Sequence, residues 1–319
     1  MPNKINISQT NNLIPFIAYF EQHGIAWRDI ASQHHIPQDL TSKSAWVPTQ
    51  HAMNFLMAMV ASTQKKIGLE VGRLISIQQI SPELDRSLSN YDDLASAIHH
   101  IIEVMPEFSS HIVLWVECIN GQWFLCHRGA YRPTMPGYDQ AEWFRSFALL
   151  SFCRKFNGAS WKPNQVLMSS PAHLNKNLPK SFAPVKFSFG EPYGALSIDL
   201  PADFIPFNTL STGKNWLNNI KNLIDTYATL PWFNITWFVK QIDMSARSFQ
   251  RRLTENNTSF RALRDQSRCK AAKSMLNEEG LSPSETAWRC GYNDPSNFNR
   301  AFIGWTGQTP ARYQALNSK

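Results

Sequence analysis

The hydrophobic pattern changes period along the chain, and each change predicts a change of structure. Over the first hundred residues apolar positions recur at helical spacing. Leu13, Ile14, Phe16, Ile17 and Phe20 form one stripe, closed by Gly24. Ala52, Phe55, Leu56, Met59 and Val60 line the inner face of a helix that Thr49 is placed to cap. Leu94, Ala97, Ile98 and Ile101 lie inside a third, with Asp92 and Asp93 in its first turn and Pro106 as its stop. From residue 108 the period shortens to two. Residues 108–118 and 122–128 are rich in β-branched and aromatic side chains, and Asn120-Gly121 between them predicts a hairpin. A two-residue loop sets Cys118 opposite Trp123 and Trp115 opposite Cys126, and large apolar groups on both faces require cover on both sides. A helix over 139–157 follows, with Trp143, Phe144, Phe147 and Leu150 inside and Gly158 ending it. Short strands are predicted over 166–168, 185–189 and 195–200, then a polar stretch over 208–215. Trp216, Leu217, Ile220, Leu223, Ile224 and Tyr227 mark a helix that either opens a second domain or bridges the two.

The last ninety residues, 230–319, repeat one device: a short helix, a tight turn and a second helix with an apolar back and a polar front. In the first copy Ile235, Phe238, Val239 and Ile242 face inward, Asp243-Met244 turns, and Ser245 caps a helix whose Phe249 and Leu253 point to the core. Arg247, Gln250, Arg251 and Thr254 fall on the opposite side, and Asn256-Asn257 ends the helix. The second copy opens on a capping box with proline at the first helical position, Ser282-Pro283-Ser284-Glu285, turns at Gly291 and restarts at Asp294-Pro295. Phe298, Phe302 and Trp305 face in; Ser296, Asn297 and Arg300 face out. Thr309-Pro310 starts a closing helix. Between the copies, 259–278 reads as one unbroken helix of about 30 Å, close to the spacing of about 34 Å between successive major-groove faces of B-DNA. The sequence thus predicts a mainly α chain with a smaller α+β part: an α+β domain over 1–207 with a small antiparallel sheet, a linker and bridging helix over 208–229, and an all-α domain over 230–319.

Charge strengthens this division. The chain carries a formal +7, and residues 230–319 hold 13 Lys+Arg against 7 Asp+Glu, so nearly all the excess sits there. A basic C-terminal quarter implies a polyanionic partner. Arginine can clasp guanine, and asparagine or glutamine adenine, through two bonds, each worth about 1–3 kcal/mol of discrimination. The five cysteines are odd in number and contain no Cys-x-x-Cys pair, which suits a reducing compartment. The start shows neither signal peptide nor membrane span, so the expected location is the cytoplasm. The adjacent pairs His34-His35 and His99-His100 point apart on a helix and offer no metal spacing. No cofactor, metal or catalytic site is expected.

With these residues in view, the last ninety resemble the DNA-binding module of the AraC family of bacterial transcription regulators. The likeness is carried by Met244-Ser245, the run Ser248-Phe249-Gln250-Arg251-Arg252-Leu253, Ser259-Phe260, Arg268, Ala272, Gly291-Tyr292, Ser296, Phe298, Arg300-Ala301-Phe302, Gly307, Thr309-Pro310 and Tyr313. It implies two helix-turn-helix units on a long helix, bound to double-stranded promoter DNA as activator or repressor, with RNA polymerase as a partner of an activator. It carries DNA contacts to Arg247, Gln250, Arg251, Ser296, Asn297 and Arg300, and a structural role to Arg268. Val239, Thr286 and Asn257 depart from the family pattern at packing positions. The first domain is similar to the ligand-sensing domain of the ornithine- and arginine-type subgroup, sometimes called arabinose-binding, through the run from Pro163-Asn164-Gln165-Val166 to Pro184-Val185-Lys186-Phe187. That implies a small-molecule effector; Trp115, Arg128, Tyr131, Arg132 and Trp143 are the candidates to line its cavity. One alternative is a ligand-independent regulator whose first domain only forms a homodimer, with the 216–227 helix as the contact. Another is an enzyme: Cys126-His127-Arg128 is similar to the Pro-Cys-His-Arg motif of alkyl-transfer DNA repair proteins. Leu125 in place of the proline, the strand setting and the domain order argue against it.

Overall fold

The computed structural model describes residues 5–39, 45–175, 184–201, 203–206 and 216–317. The polar stretch over 208–215, expected as a linker, lies outside them. In chain order the elements are β1 (Ile7–Gln9), α1 (Ile14–Gln22), α2 (Arg28–Gln33), β2 (Trp46–Pro48), α3 (Thr49–Thr63), α4 (Ile67–Gly72), α5 (Ile77–Ile80), α6 (Pro82–Leu88) and α7 (Leu94–Phe108). There follow β3 (Val113–Ile119), β4 (Gln122–Arg128), α8 (Tyr138–Asn157), β5 (Gln165–Met168), β6 (Lys186–Phe189), β7 (Gly194–Ile198), α9 (Trp216–Tyr227), α10 (Ile235–Gln241), α11 (Ala246–Glu255), α12 (Phe260–Asn277), α13 (Pro283–Arg289), α14 (Pro295–Thr306) and α15 (Pro310–Asn317). The chain divides into two units, residues 6–214 and residues 1–5 with 215–319. The helix α9 belongs to the second.

The first unit is built on a five-stranded sheet in the order β3-β4-β7-β5-β6. It is antiparallel, as the sequence leads one to expect, apart from β5 and β6, which run parallel to each other. The β3–β4 hairpin has the expected register, Cys118 with Trp123 and Trp115 with Cys126, because Asn120 and Gly121 both take positive φ, 51° and 79°, as a two-residue loop of this hand requires. Directly paired residues share a face. Leu114, Val116, Leu125 and His127 therefore lie on one face, which packs on α7 and α8 through Ile98, Ile101, Phe147 and Leu150. Trp115, Phe124 and Cys126 lie on the other, in a smaller cluster with Leu167 and Ala195.

Several local expectations are adjusted. Thr49 does not cap α3 but is its first residue; its buried hydroxyl lies 3.0 Å from Ser8 Oγ and 3.2 Å from His111 Nδ1. Asp93 is the cap of α7, accepting from the Ser96 N–H, rather than part of its first turn. Pro106 does not stop that helix: Phe108 ends it, so the strand predicted from 108 begins at Val113. A proline so near the end removes one hydrogen bond, and the last turn tolerates it.

In the second unit, the helix starts follow the cap residues. Asn234, Ser245, Ser259, Ser282 and Asp294 each accept a backbone N–H with the side chain, a device worth about 1 kcal/mol per helix. The expected box at Ser282 is half made: Ser282 Oγ accepts from Glu285 N–H, while Glu285 Oε1 accepts from Arg289 instead. The turns match across the two copies. Asp243 with φ 51° and Gly291 with φ 78° occupy the same left-handed corner after the first helix.

Candidate nucleic-acid interface

The long helix α12 carries two cores. At its N-terminal end Phe260 packs against Phe233, Phe238 and Phe249, with ring centroids 5.3, 5.9 and 6.2 Å away, and so holds α10 and α11. Further along, Ala272 and Leu276 pack with Ala287, Phe298 and Phe302, and so hold α13 and α14. The helix is 18 residues long, and Phe260 and Leu276 stand about 24 Å apart along its axis. The helix α9 reinforces the first core. Its Trp216 stands edge-on to Phe249 at 5.9 Å, and the Arg252 guanidinium lies 4.4 Å over the Trp216 ring.

The short connection after α9 locks the second copy in place. Arg268, buried in the middle of α12, donates from Nε to the Ala228 carbonyl at 2.7 Å, and its guanidinium lies 5.0 Å over the Tyr292 ring. Its structural role is therefore specific: it ties the strut, the α9 end and the second turn together. Gly291 completes that fit, because a Cβ there would stand 2.6 Å from the Thr229 carbonyl oxygen.

Phe249 and Leu253 in α11, like Phe298 and Phe302 in α14, are at most 1% exposed. Burial of these pairs dictates what the opposite faces show. Arg247, Gln250 and Arg251 are exposed on α11; Ser296, Asn297 and Arg300 are exposed on α14. Counted from their caps, the two helices correspond position for position. Ser245 corresponds to Asp294, Arg247 to Ser296, Phe249 to Phe298, Arg251 to Arg300 and Leu253 to Phe302. By the same offset Gln250 corresponds to Asn299, an exposed amide that sequence reasoning missed. The signal was present in the cap-to-cap spacing. Asn297 corresponds instead to Ser248, whose hydroxyl accepts from Ser245 Oγ at 2.9 Å. Two of the exposed groups are steadied in place: Arg300 Nη2 donates to Asn297 Oδ1, and Arg251 Nε lies 3.6 Å from Glu255 Oε1. At that exposure such pairs contribute little to stability and are easily exchanged for a phosphate or a base edge.

A family model described as a helix-turn-helix domain matches residues 238–315. These residues are an AraC-type helix-turn-helix module. The module is 40% identical over 73 residues to an uncharacterized HTH-type transcriptional regulator of Mycobacterium tuberculosis, Rv1395, a match covering 23% of this chain and 21% of that protein. It is 36% identical over 75 residues to the ornithine utilization regulator of Pseudomonas aeruginosa, covering 24% of this chain and 22% of that one. A longer alignment, 149 residues at 26% identity, covers 46% of this chain and 54% of the HTH-type transcriptional regulator GadX of Escherichia coli O157:H7. The chain thus spans about a fifth of the length of the first of these relatives. The solved structure of the transcriptional regulator CdpR from Pseudomonas aeruginosa aligns over 93% of this chain and 98% of its own, at 17% identity and a TM-score of 0.38.

The candidates for an effector site are scattered. A cavity of about 150 Å³ opens among α1, α3, α5, α7, α8 and the start of β3, and of the five named residues only Tyr131 lines it. Trp115 lies on the other sheet face, edge-on to Tyr193 at 4.9 Å and donating from Nε1 to Glu117 at 3.2 Å. Trp143 is core, 5.9 Å from Phe147 and 5.7 Å from Phe187. Arg128 and Arg132 are exposed. Aromatic and basic character near the sheet could not separate its two faces; register does. Cys126 is fully buried, and burial, together with the nearby Glu117 charge, pushes its thiol up to about 12. It would be almost wholly protonated at neutral pH, the opposite of an alkyl acceptor. Among the described residues no helix is long and apolar enough to cross a membrane.

Proposed function

We propose that this chain is a sequence-specific regulator of transcription that reads two adjacent major grooves of double-stranded promoter DNA. The observation that carries this reading is the cap-to-cap equivalence of α11 and α14 on one rigid α12. Two faces with matched polar sets sit behind matched turns, within the part of the chain that holds nearly all the net positive charge. Arg247, Gln250 and Arg251 would read one groove, and Ser296, Asn297, Asn299 and Arg300 the next. The relatives named above as transcriptional regulators support the same reading. The unit 6–214, with its cavity, would bind a small effector and bias the module; the protein would act in the cytoplasm without enzymatic activity, and RNA polymerase would be a further partner if it activates.

Titration of the protein against its selected operator at rising salt tests this. Affinity should fall steeply, because several phosphates are neutralised and their counterions released. A flat response between low and moderate salt would remove the groove-bound module from consideration.

A further inference from the structure

Arg145 on α8 is 8% exposed and lines the cavity of the first unit. Its Nε donates to His127 Nδ1 at 2.9 Å. That histidine cannot balance the charge. It is fully buried, and burial together with the arginine itself holds its pKa well below the usual range, so the ring is neutral. Its other nitrogen lies 3.2 Å from Ser146 Oγ. Nor does Glu142, one turn away, serve as counter-ion. Its carboxylate is taken up by Ser169 N–H at 2.8 Å, Ser169 Oγ at 2.5 Å and Ser170 N–H at 2.9 Å. Arg145 Nη2 is buried and meets no hydrogen-bond partner among the described residues. The Tyr138 ring, 5.8 Å from the guanidinium carbon, supplies only a weak cation–π contact. A buried charge without an opposite charge is strongly unfavourable, and a buried N–H without an acceptor adds to that cost.

The rest of the wall explains what could supply the missing anion. Phe16, Leu56, Ile80, Ile101, Phe144 and Leu149 make the cavity mostly apolar. At about 150 Å³ it matches voids that take up a benzene-sized molecule. An inorganic anion would leave that wall unfilled, and a neutral hydrocarbon would leave Arg145 unpaired.

We propose that the cavity binds a monocarboxylate with a compact apolar body, aromatic or of medium chain length, whose carboxylate accepts from Arg145 Nη2. This deepens the effector part of the proposed function and rests on that reading only for its regulatory meaning. Arg145 was not among the candidates drawn from the sequence, because an arginine inside a long helix there reads as one more surface charge.

The test uses the full chain with benzoate, phenylacetate and hexanoate as acids, and benzyl alcohol and hexanol as uncharged counterparts, followed by thermal shift and calorimetry. At least one acid should raise Tm saturably, while its alcohol binds at least tenfold more weakly. Arg145→Met should weaken the acid at least tenfold with no loss of Tm in its absence. Should that variant fail to fold, Ala148→Leu, which fills the cavity and keeps the guanidinium, must abolish acid binding in a folded protein. Alcohols binding as well as acids, acid binding that survives either variant, or no acid binding at all would each overturn the inference. Operator binding measured on the same preparations separates the two readings: specific DNA binding without acid binding sinks only the ligand, and acid binding without specific DNA binding sinks only the regulator.

Discussion

The Arg268 guanidinium lies 5.0 Å over the Tyr292 ring while its Nε donates to the carbonyl of Ala228. One side chain therefore fixes the second helix-turn-helix turn to both the long helix and the end of α9. Arg268→Ala should cost about 2–4 kcal/mol in urea unfolding, since it leaves a buried carbonyl unpaired and removes a packed cation. Operator affinity should drop with it, although Arg268 is buried and touches no base. A loss of affinity with unchanged stability would mean that Arg268 acts at the DNA instead.

Thr286 and Gly291 should respond in opposite directions. Thr286 is fully buried and its hydroxyl has no partner among the described residues; it corresponds to Phe238 in the first copy. Thr286→Val keeps the shape and should raise stability by about 1 kcal/mol. Gly291→Ala should lower it by about 1–3 kcal/mol, because φ is 78° and the added Cβ would meet the Thr229 carbonyl oxygen at 2.6 Å. Denaturant midpoints of the two variants check both signs.

Stability should fall as pH drops below about 6.5. Burial, with the nearby His35 and His34, lowers His51 to about 4, and burial with Arg145 lowers His127 well below the usual value. Unfolded histidines titrate near 6.5, so between that pH and the folded value the unfolded state holds more protons. The native state is favoured above the window and loses up to about 1.4 kcal/mol per pH unit for each group within it. Unfolding free energies between pH 7.5 and 5 for the parent and His127→Gln should differ in slope, the variant being flatter. Parallel curves would contradict the assignment.

Asn299 should behave as Gln250 does. Both stand five residues after their cap and both are exposed. Asn299→Ala should relax base preference at one position by about 1–3 kcal/mol. Selection of binding sites from random duplexes would show an unchanged motif if the equivalence is wrong.

Much of the second unit could be read directly. Cap residues, prolines at first helical positions and Phe or Leu pairs four apart are local signals, and they located α10 to α15 within a residue or two. The hairpin register was equally legible, because Asn120-Gly121 permits one loop length and the pairing follows. The parallel β5–β6 pair was not, since strand direction depends on partners far apart in sequence. The cavity residues escaped for a related reason. Arg145 and His127 come together only when α8 crosses the sheet, and nothing in the 139–157 pattern marks an arginine as inward. Thr49 misled because a threonine before a helix is the usual cap, whereas here its hydroxyl serves His111.

In the proposed regulator one stiff helix would present two reading faces to successive grooves. The most direct measurement is a base-by-base preference profile of the operator for Arg251→Ala and Arg300→Ala beside the parent. Each variant should relax preference at its own half-site, the two about 10 base pairs apart on one side of the duplex. Both variants relaxing the same position, or neither altering the profile, would contradict it.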